Sequence, residues 1–259
     1  MNSSPRTADL FGLATLPDAP ANALRLLELL PRIGAADCQE SVIDLFWQVL
    51  RMIGAGSGVF VSAIRDHATR TSVRSLTACD LNWTVEYSRL DWPEHDPWLR
   101  YAMDSQSPVL GDELKLRPDE QEFIRRAAAV GFSSSVVVPA PSCFGASRVG
   151  VLILGSPNPG FFAGDAFPMI KLVARELAME LHEWLLKAIR DDLLERSQIK
   201  PEEVELLRYE AAGHTSKMIA AALNTKPRTV DCWFQRVTTK LNAPDRRTAM
   251  RIARLYGLI

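Results

Sequence analysis

The sequence predicts an α+β protein: an N-terminal α-β-α sandwich built on an antiparallel sheet, followed by a small all-α module of four helices. Three observations support this. Helical and strand-like hydrophobic patterns alternate up to about residue 195, and only helical patterns follow Pro201. Net charge divides at the same point, since residues 197–259 carry +5 and the preceding residues carry −6. Apolar residues make up 47% and charged residues 24% of the chain, which is typical of a globular protein.

The N-terminal region starts with two amphipathic helices, because apolar residues recur at spacings of three and four over residues 22–30 and 41–53. β-Branched and aromatic residues then predict three strands, over 59–64, 134–139 and 149–154. Ahead of the last two strands, residues 118–130 form a helical pattern with acidic residues in its first turn and Gly131 after its end. The longest helical pattern runs from Asp165 to about residue 195.

A polar segment follows the long helix and ends at Ile199-Lys-Pro201, which predicts a linker between two domains. We therefore expect a first domain at residues 1–190, a linker at 191–199 and a second domain at 200–259.

The residue types that carry catalysis or bind metals are dispersed. The 4 cysteines form no C-x-x-C pair, and the 4 histidines form no H-x-H or H-E-x-x-H motif. No G-x-S-x-G motif occurs either. We expect a non-enzymatic protein with no metal, cofactor or disulfide framework. Since no secretory signal and no run of about 18 uncharged apolar residues is found, we also expect a cytoplasmic protein with no membrane partner.

Four short helices are predicted in the C-terminal module, over 201–213, 216–223, 228–241 and 245–256. In the third, four apolar residues spaced by 4, 3 and 4 positions must face the core: Val230, Phe234, Val237 and Leu241. That spacing turns five residues outward: Asp231, Cys232, Gln235, Arg236 and Thr239. A basic, polar helix after a short turn suits the DNA major groove, although any small basic helical module would show the same spacing.

A more specific pattern runs through the same module. It includes Glu203, Leu207, Gly213-His-Thr, Ile219-Ala, Pro227-Arg-Thr-Val230, Lys240-Leu241, Arg246, Ala249 and Gly257-Leu-Ile259. This pattern closely resembles the GerE/LuxR-type helix-turn-helix. The resemblance implies that helix 228–241 reads base edges through Asp231, Cys232 and Gln235. It also implies that six residues hold the phosphates of double-stranded DNA: Lys217, Lys226, Arg228, Thr229, Arg236 and Lys240.

Three positions of this module depart from the usual family pattern. Lys226 stands where the family has a short polar N-cap residue, Trp233 where it has His, and Asp245 where it has Asn. We therefore expect an unusual operator preference.

Trp83, Tyr87 and the Asp96-Pro97 pair form the distinctive motif of the N-terminal region. Trp83 and Tyr87 are one helical turn apart and share a face. An indole N–H, a phenol O–H and a carboxylate that converge on one cavity would orient a ligand that has carbonyl acceptors and an amide donor. The alternative is that the aromatic residues fill the core and that Asp96 only caps the helix that begins at Pro97.

The W-x3-Y-x8-D-P spacing resembles the autoinducer-binding domain of LuxR-type quorum-sensing regulators. The resemblance implies that Trp83 donates to the headgroup carbonyl of an N-acyl homoserine lactone, that Tyr87 donates to the acyl carbonyl, and that Asp96 accepts from the amide N–H. Two family residues are missing: Gly111 replaces a Trp that walls the lactone, and Ser135 replaces a Gly. We therefore expect an altered headgroup site.

The function that the sequence favours is a ligand-responsive transcriptional regulator. It would bind an N-acyl homoserine lactone or a related small signal and, as a homodimer, a two-fold symmetric DNA operator. Leu172 and Leu181 of the long helix are predicted at the dimer interface. Because of Gly111 and Ser135, a second interpretation stays open: a regulator that has lost high-affinity lactone binding and acts without ligand or as a heterodimer with a related regulator.

Overall fold

The computed structural model describes residues 19–67, 70–89, 95–144 and 147–259. These residues divide into two compact units, and the main boundary falls within the long helix, after Trp184. Residues 64–67 and 70–71 group with the second unit. Residues 1–18, on which the expectation about a secretory signal rests, lie outside the described part of the chain.

A sheet of five strands forms the centre of the first unit. The strands are β1 (Ser57–His67), β2 (Arg70–Ala78), β3 (Val109–Leu110), β4 (Ser134–Ala140) and β5 (Arg148–Ser156). Their order in the sheet is β2-β1-β5-β4-β3. Strand β4 is antiparallel to both of its neighbours, with Val137 opposite Ile153 of β5 and opposite Val109 of β3. The predicted antiparallel sheet is confirmed.

Helices cover both faces of this sheet. Those of the first unit are α1 (Ala19–Leu29), α2 (Pro31–Gly34), α3 (Gln39–Met52), α4 (Leu81–Arg89), α5 (Pro97–Asp104), α6 (Gln121–Ala127) and α7 (Phe167–Ser197), the last of which continues into the second unit. On one face, the α3 ring of Phe46 lies so close to β1 that a Cβ on Gly58 would be 2.6 Å from it. On the same face, Phe60 contacts the ring of His182 from α7. The predicted α-β-α sandwich is therefore confirmed.

The opposite face of the sheet holds an aromatic core. Because side chains alternate along a strand, Val59 and Val61 of β1 point away from the α3 and α7 side and pack with Ile153 of β5. Helix α5 packs against β4 and β5 and brings its own aromatic residue, Trp98, into this core. The alternation thus separates the structural contacts of one face from the candidate site on the other.

Most predicted elements of the first unit are found, with different ends. The helix predicted over 118–130 is divided into a 3-10 turn at Pro118–Glu120, α6, and a π-turn at Ala128–Phe132 in which Gly131 has a φ of +104°. Strands β2 and β3 were not predicted. Strand β2 carries few apolar residues, and β3 has 2 residues, too few for a periodic pattern.

The second unit contains the four predicted helices, α8 (Pro201–Ala211), α9 (Ser216–Ala222), α10 (Pro227–Lys240) and α11 (Arg246–Leu255). The predicted inward residues of α10 are buried, and so is Leu241 just after it. Asp245 is the N-cap of α11 and accepts the backbone N–H of Thr248 at 2.8 Å, as its position before the helix predicted.

Residues 191–197 of the predicted linker belong to α7. The limits of 1–190, 191–199 and 200–259 stay a prediction.

Leu181 is fully buried within the chain, so its predicted place at a dimer interface is wrong, whereas Leu172 is 57% exposed.

Among the described residues, no helix combines the length and the apolar character that a bilayer crossing requires.

Candidate functional site

A cavity of about 210 Å³ opens on the aromatic side of the sheet. Its apolar wall comes from the strands and contains Val59, Val61, Val73 and Ile153. Trp83, Tyr87 and Asp96, the three predicted ligand residues, all line this cavity. The structure therefore brings them together, while their individual roles toward a ligand stay predictions. The sequence did not predict Trp98 or the hydroxyl-bearing residues Ser75, Thr77 and Thr84 as lining residues.

Asp96 both caps a helix and faces the cavity, so the two interpretations made from the sequence hold together. Its Oδ1 accepts the backbone N–H groups of Trp98 at 2.8 Å and Leu99 at 3.0 Å, which is the N-cap arrangement of α5. Its Oδ2 accepts the Tyr87 hydroxyl at 2.7 Å. A carboxylate has about four acceptor positions, so the described residues leave one free for a donor on a ligand.

The charge states of this pair follow from burial. Asp96 is 3% exposed, and loss of hydration raises its pKa to about 6, even though Tyr87 and the helix N–H groups favour the ionised form. The pKa of Tyr87 is raised above its ordinary value by burial and by the neighbouring carboxylate. At pH 7 the site therefore presents an ionised acceptor beside a protonated phenol.

Trp83 is fixed by an aromatic cluster. Its ring centroid lies 5.4 Å from that of Phe123, 5.5 Å from that of Phe132 and 5.7 Å from that of Trp98. Such ring pairs contribute about 0.5–1.5 kcal/mol each beyond simple burial. The indole is thus positioned by packing before any ligand binds, which lowers the entropy cost of binding.

The two missing family residues occupy one place in the fold. Leu110 of β3 pairs with Val136 of β4, which sets position 111 beside position 135. A Cβ added to Gly111 would overlap the Ser135 Oγ and lie 3.3 Å from the Ser135 Cβ. The hydroxymethyl group of Ser135 therefore fills the space that a side chain at position 111 would need, and the two departures from the family pattern are coupled.

Gly111→Ala is expected to lower the free energy of unfolding by about 1–3 kcal/mol, because it overpacks this contact. Ser135→Gly in the same chain should restore most of the loss. Urea unfolding of the wild type, both single variants and the double variant gives the coupling energy. Gly164→Ala is the matched control, since a Cβ there meets nothing within 4 Å. Additive effects of the two substitutions would disprove the coupling.

The candidate nucleic-acid interface lies on α9, α10 and the turn between them. Among the nine predicted DNA-binding residues, seven are exposed: Lys217, Lys226, Arg228, Asp231, Cys232, Gln235 and Arg236. Thr229 and Lys240 are partly buried. The predicted orientation of α10 is confirmed, and contact with DNA stays a prediction for each residue.

Two of these residues are already bound within the module. The Asp231 Oδ1 accepts the Ser216 hydroxyl at 2.6 Å, which links α10 to the start of α9. The Lys240 Nζ donates to Glu203 at 2.6 Å and to the Gln198 carbonyl at 2.9 Å. Contacts of Asp231 with a base and of Lys240 with a phosphate would therefore compete with these intramolecular bonds.

Arg246, at the start of α11, connects all four helices of the module. Its guanidinium pairs with Glu210 of α8, donates to the Ser216 Oγ of α9 at 3.0 Å, and lies 4.0 Å from the centroid of the Phe234 ring on α10. It also donates to the His214 carbonyl at 3.3 Å. The position of α10 therefore depends on one arginine that the sequence placed in the family pattern without a role.

Models of two known protein families match the chain. A model of the autoinducer-binding domain matches residues 39–181, and a model of bacterial regulatory proteins of the luxR family matches residues 200–253. The chain belongs to the LuxR-type quorum-sensing regulators. The cavity lies within the first of these matches and α10 within the second.

Relatives of this LuxR-type regulator are distant in sequence. The transcriptional activator protein VanR of Vibrio anguillarum is 23% identical over 181 residues, which cover 69% of this chain and 74% of VanR. A crystal structure of Escherichia coli SdiA is 21% identical, with a TM-score of 0.67 over 94% of this chain and 99% of SdiA. SdiA in complex with octanoyl-rac-glycerol is 19% identical, with a TM-score of 0.66 over 98% of this chain and 97% of that one. These structures share the fold.

Proposed function

We propose that this LuxR-type regulator binds an N-acyl homoserine lactone, or a related molecule with an acyl chain and a small polar headgroup, in the cavity of the first domain. The convergence of Trp83, Tyr87 and Asp96 on one cavity carries this proposal. The indole N–H of Trp83 would donate to a headgroup carbonyl, and the fourth acceptor position of Asp96 would take an N–H or O–H of the ligand. The valines and Ile153 would contact the acyl chain.

The Tyr87 hydroxyl would donate to different acceptors before and after the ligand binds. It donates to Asp96 at 2.7 Å in the ligand-free chain. Once a donor on the ligand occupies the remaining acceptor position, on Oδ2, the phenol O–H can turn away and donate to the acyl carbonyl. The Asp96 Oδ2 and the Tyr87 hydroxyl then each keep a partner in both states.

We propose that the second domain binds DNA. The helix α10 would enter the major groove of a two-fold symmetric operator, with one module from each subunit of a homodimer. The exposed Leu172 is the residue of α7 that we propose for the dimer contact. The proposed limits remain 1–190 for the ligand domain, 191–199 for the linker and 200–259 for the DNA-binding domain.

The test is expression of the full chain with and without a panel of N-acyl homoserine lactones and monoacylglycerols. The panel includes the second class because a solved structure shows SdiA in complex with octanoyl-rac-glycerol. Mass spectrometry identifies the extracted ligand, light scattering gives the oligomeric state, and selection from random DNA gives the operator. A ligand at a hundredfold excess over its Kd should add about 2.7 kcal/mol of stability.

Equal yield, oligomeric state and DNA binding with and without the panel would count against ligand sensing. That result would favour the second interpretation, in which the regulator acts without ligand or as a heterodimer with a related regulator. Coexpression with such a regulator then identifies a heterodimer.

Gln235→Ala is expected to relax the preference for one operator base pair by about 1–3 kcal/mol, because the exposed amide can pair with N6 and N7 of an adenine. Arg228→Ala is the control for non-specific affinity. It should weaken all sequences about equally and reduce the slope of log K against log salt by about one. Fluorescence anisotropy on a set of single-base operator variants measures both effects. If Gln235→Ala weakened every variant equally, Gln235 would not be a base reader.

A further inference from the structure

Trp98 has a buried hydrogen-bond donor that finds no acceptor within the described residues. Its side chain is 1% exposed and lines the cavity beside Trp83 and Asp96. No partner among those residues accepts from its Nε1, whereas the Nε1 of Trp184 donates to the Ala36 carbonyl at 2.8 Å. Buried indole N–H groups are normally paired, so an orphan donor in a cavity wall indicates an acceptor that arrives with a ligand.

The indole of Trp98 is held in place by two sets of contacts. Its ring packs edge to face on Phe123, with centroids 4.8 Å apart and an interplanar angle of 85°, and it tilts against Phe132 at 5.4 Å. Its backbone N–H is bound to Asp96 through the N-cap of α5. The carboxylate acceptor and the indole donor are therefore fixed relative to each other by the same helix end. Such a preorganised pair suits a ligand group that carries a donor and an acceptor close together.

Position 111 cannot supply an aromatic wall in this chain, because Ser135 fills the space beside Gly111. Neither Gly111 nor Ser135 lines the cavity. Trp98 does, and it reaches the same aromatic cluster as Trp83. Among the cavity-lining residues, the aromatic neighbours of Trp83 are therefore Tyr87 of α4 and Trp98 of α5.

We propose that Trp98 is a specificity-determining residue of the ligand site: a second indole donor and the aromatic wall that takes the place of a side chain at position 111. This rests on the proposed function. The site then selects a headgroup with two acceptor oxygens, one for each indole, and one N–H or O–H for Asp96. An amide-linked lactone and a monoacylglycerol both have this chemistry.

The test is the full chain with Trp98→Phe, which keeps a ring and removes the donor. N-Octanoyl homoserine lactone and 1-octanoylglycerol are the two probes, and calorimetry measures their Kd. We expect the Kd of the bound probe to rise about tenfold, the value of one lost hydrogen bond to a buried donor. Trp184→Phe is the matched control, since it also removes an indole donor but lies away from the cavity, and its Kd should stay within about twofold of the wild type.

The binding results distinguish a failure of the proposed function from a failure of the role of Trp98. A wild type that binds neither probe nor any member of the wider panel contradicts the proposed function itself. A wild type that binds a probe, with an unchanged Kd in Trp98→Phe, contradicts only the role of Trp98.

A second measurement uses the wild type alone, so that it does not depend on the folding of a variant. With 15N-labelled tryptophan, the 6 indole N–H signals of the chain are observed before and after addition of the bound probe. The Trp98 signal, assigned through the close contact of its ring with Phe123, should move downfield as Trp98 donates to the ligand. A Trp98 signal that does not move downfield would overturn the proposal.

Discussion

Asp96→Asn is expected to raise the ligand concentration for half-maximal binding at least tenfold without a loss of stability in the ligand-free chain. Asn is as good an N-cap as Asp, and its Oδ1 can still accept from Trp98 and Leu99. Its Nδ2 replaces the oxygen that receives Tyr87, and the phenol oxygen can accept from it in return. The substitution thus keeps the helix cap and removes the acceptor for the ligand.

The free energy of unfolding of the wild type should depend on pH through Asp96. The pKa of Asp96 is about 6 in the folded chain and its ordinary value is 3.8, so the folded state binds more protons between these values. The contribution of Asp96 to the free energy of unfolding is therefore present below pH 4 and is lost as the pH rises through 6, by about 3 kcal/mol at most. Asp96→Asn should lack this loss and should be as stable as the wild type, or more stable, at pH 7.

Ligand affinity should change in the opposite direction. In the wild type it rises as the pH rises through about 6, because the ligand donor needs the ionised carboxylate. In Asp96→Asn this dependence should be absent. Asp96→Ala is the control: it removes the cap as well, so it should lose about 1 kcal/mol of stability together with affinity. If Asp96→Asn bound the ligand as tightly as the wild type at pH 7, Asp96 would not belong to the ligand site.

The parts of this site that the sequence predicted are local. Trp83 and Tyr87 meet because they are four residues apart on α4, and Asp96 caps α5 because Pro97 follows it. Helix α10 was predicted for the same reason, since Val230, Phe234 and Val237 follow the helical period and are buried. In each case, residues within one or two turns determine the result.

The parts that were missed depend on contacts across the fold. Strand β2 is polar along much of its length and acquires its strand structure by pairing at the edge of the sheet beside β1. The alternation of polar Ser75 and Thr77 with apolar Leu76 and Ala78 was the signal that could have identified it. The contact between Gly111 and Ser135 is fixed by the β3–β4 register, which no local pattern encodes.

Leu181 and Lys240 illustrate the same limit. Leu181 was assigned to a surface from its apolar side chain and helical position, and Lys240 was assigned to a DNA phosphate by the resemblance to the family. Leu181 is buried because α7 packs on the sheet, and Lys240 is bound by Glu203, 37 residues earlier in the chain. A hydrophobic period identifies which side of a helix is apolar but does not say which neighbour covers it.

Arg246→Ala is expected to destabilise the DNA-binding module by about 2–3 kcal/mol and to reduce operator affinity more than tenfold. The substitution leaves Glu210, which is 17% exposed, without its cation, and it removes the bonds to Ser216 and His214. It also removes the cation–π contact with Phe234 on α10. Breaking a buried ion pair costs about 3–5 kcal/mol, and the partial exposure of this pair reduces that value.

The matched control is Arg247→Ala, because Arg247 is exposed and its loss removes the same charge. A purely electrostatic role in DNA binding would make the two variants similar, whereas a positioning role affects Arg246 alone. Arg246→Lys should lie between them, since lysine keeps the charge but cannot bind Glu210, Ser216 and His214 as one planar group.

Hydrogen exchange separates positioning from charge in this pair of variants. The amide protons of residues 228–240 should exchange faster in Arg246→Ala, because α10 loses the contact that holds Phe234 against the rest of the module. In Arg247→Ala they should exchange as in the wild type, while DNA affinity falls only through the loss of one exposed positive charge. If the two variants showed equal exchange and equal losses of affinity, Arg246 would act by contacting DNA and not by positioning α10.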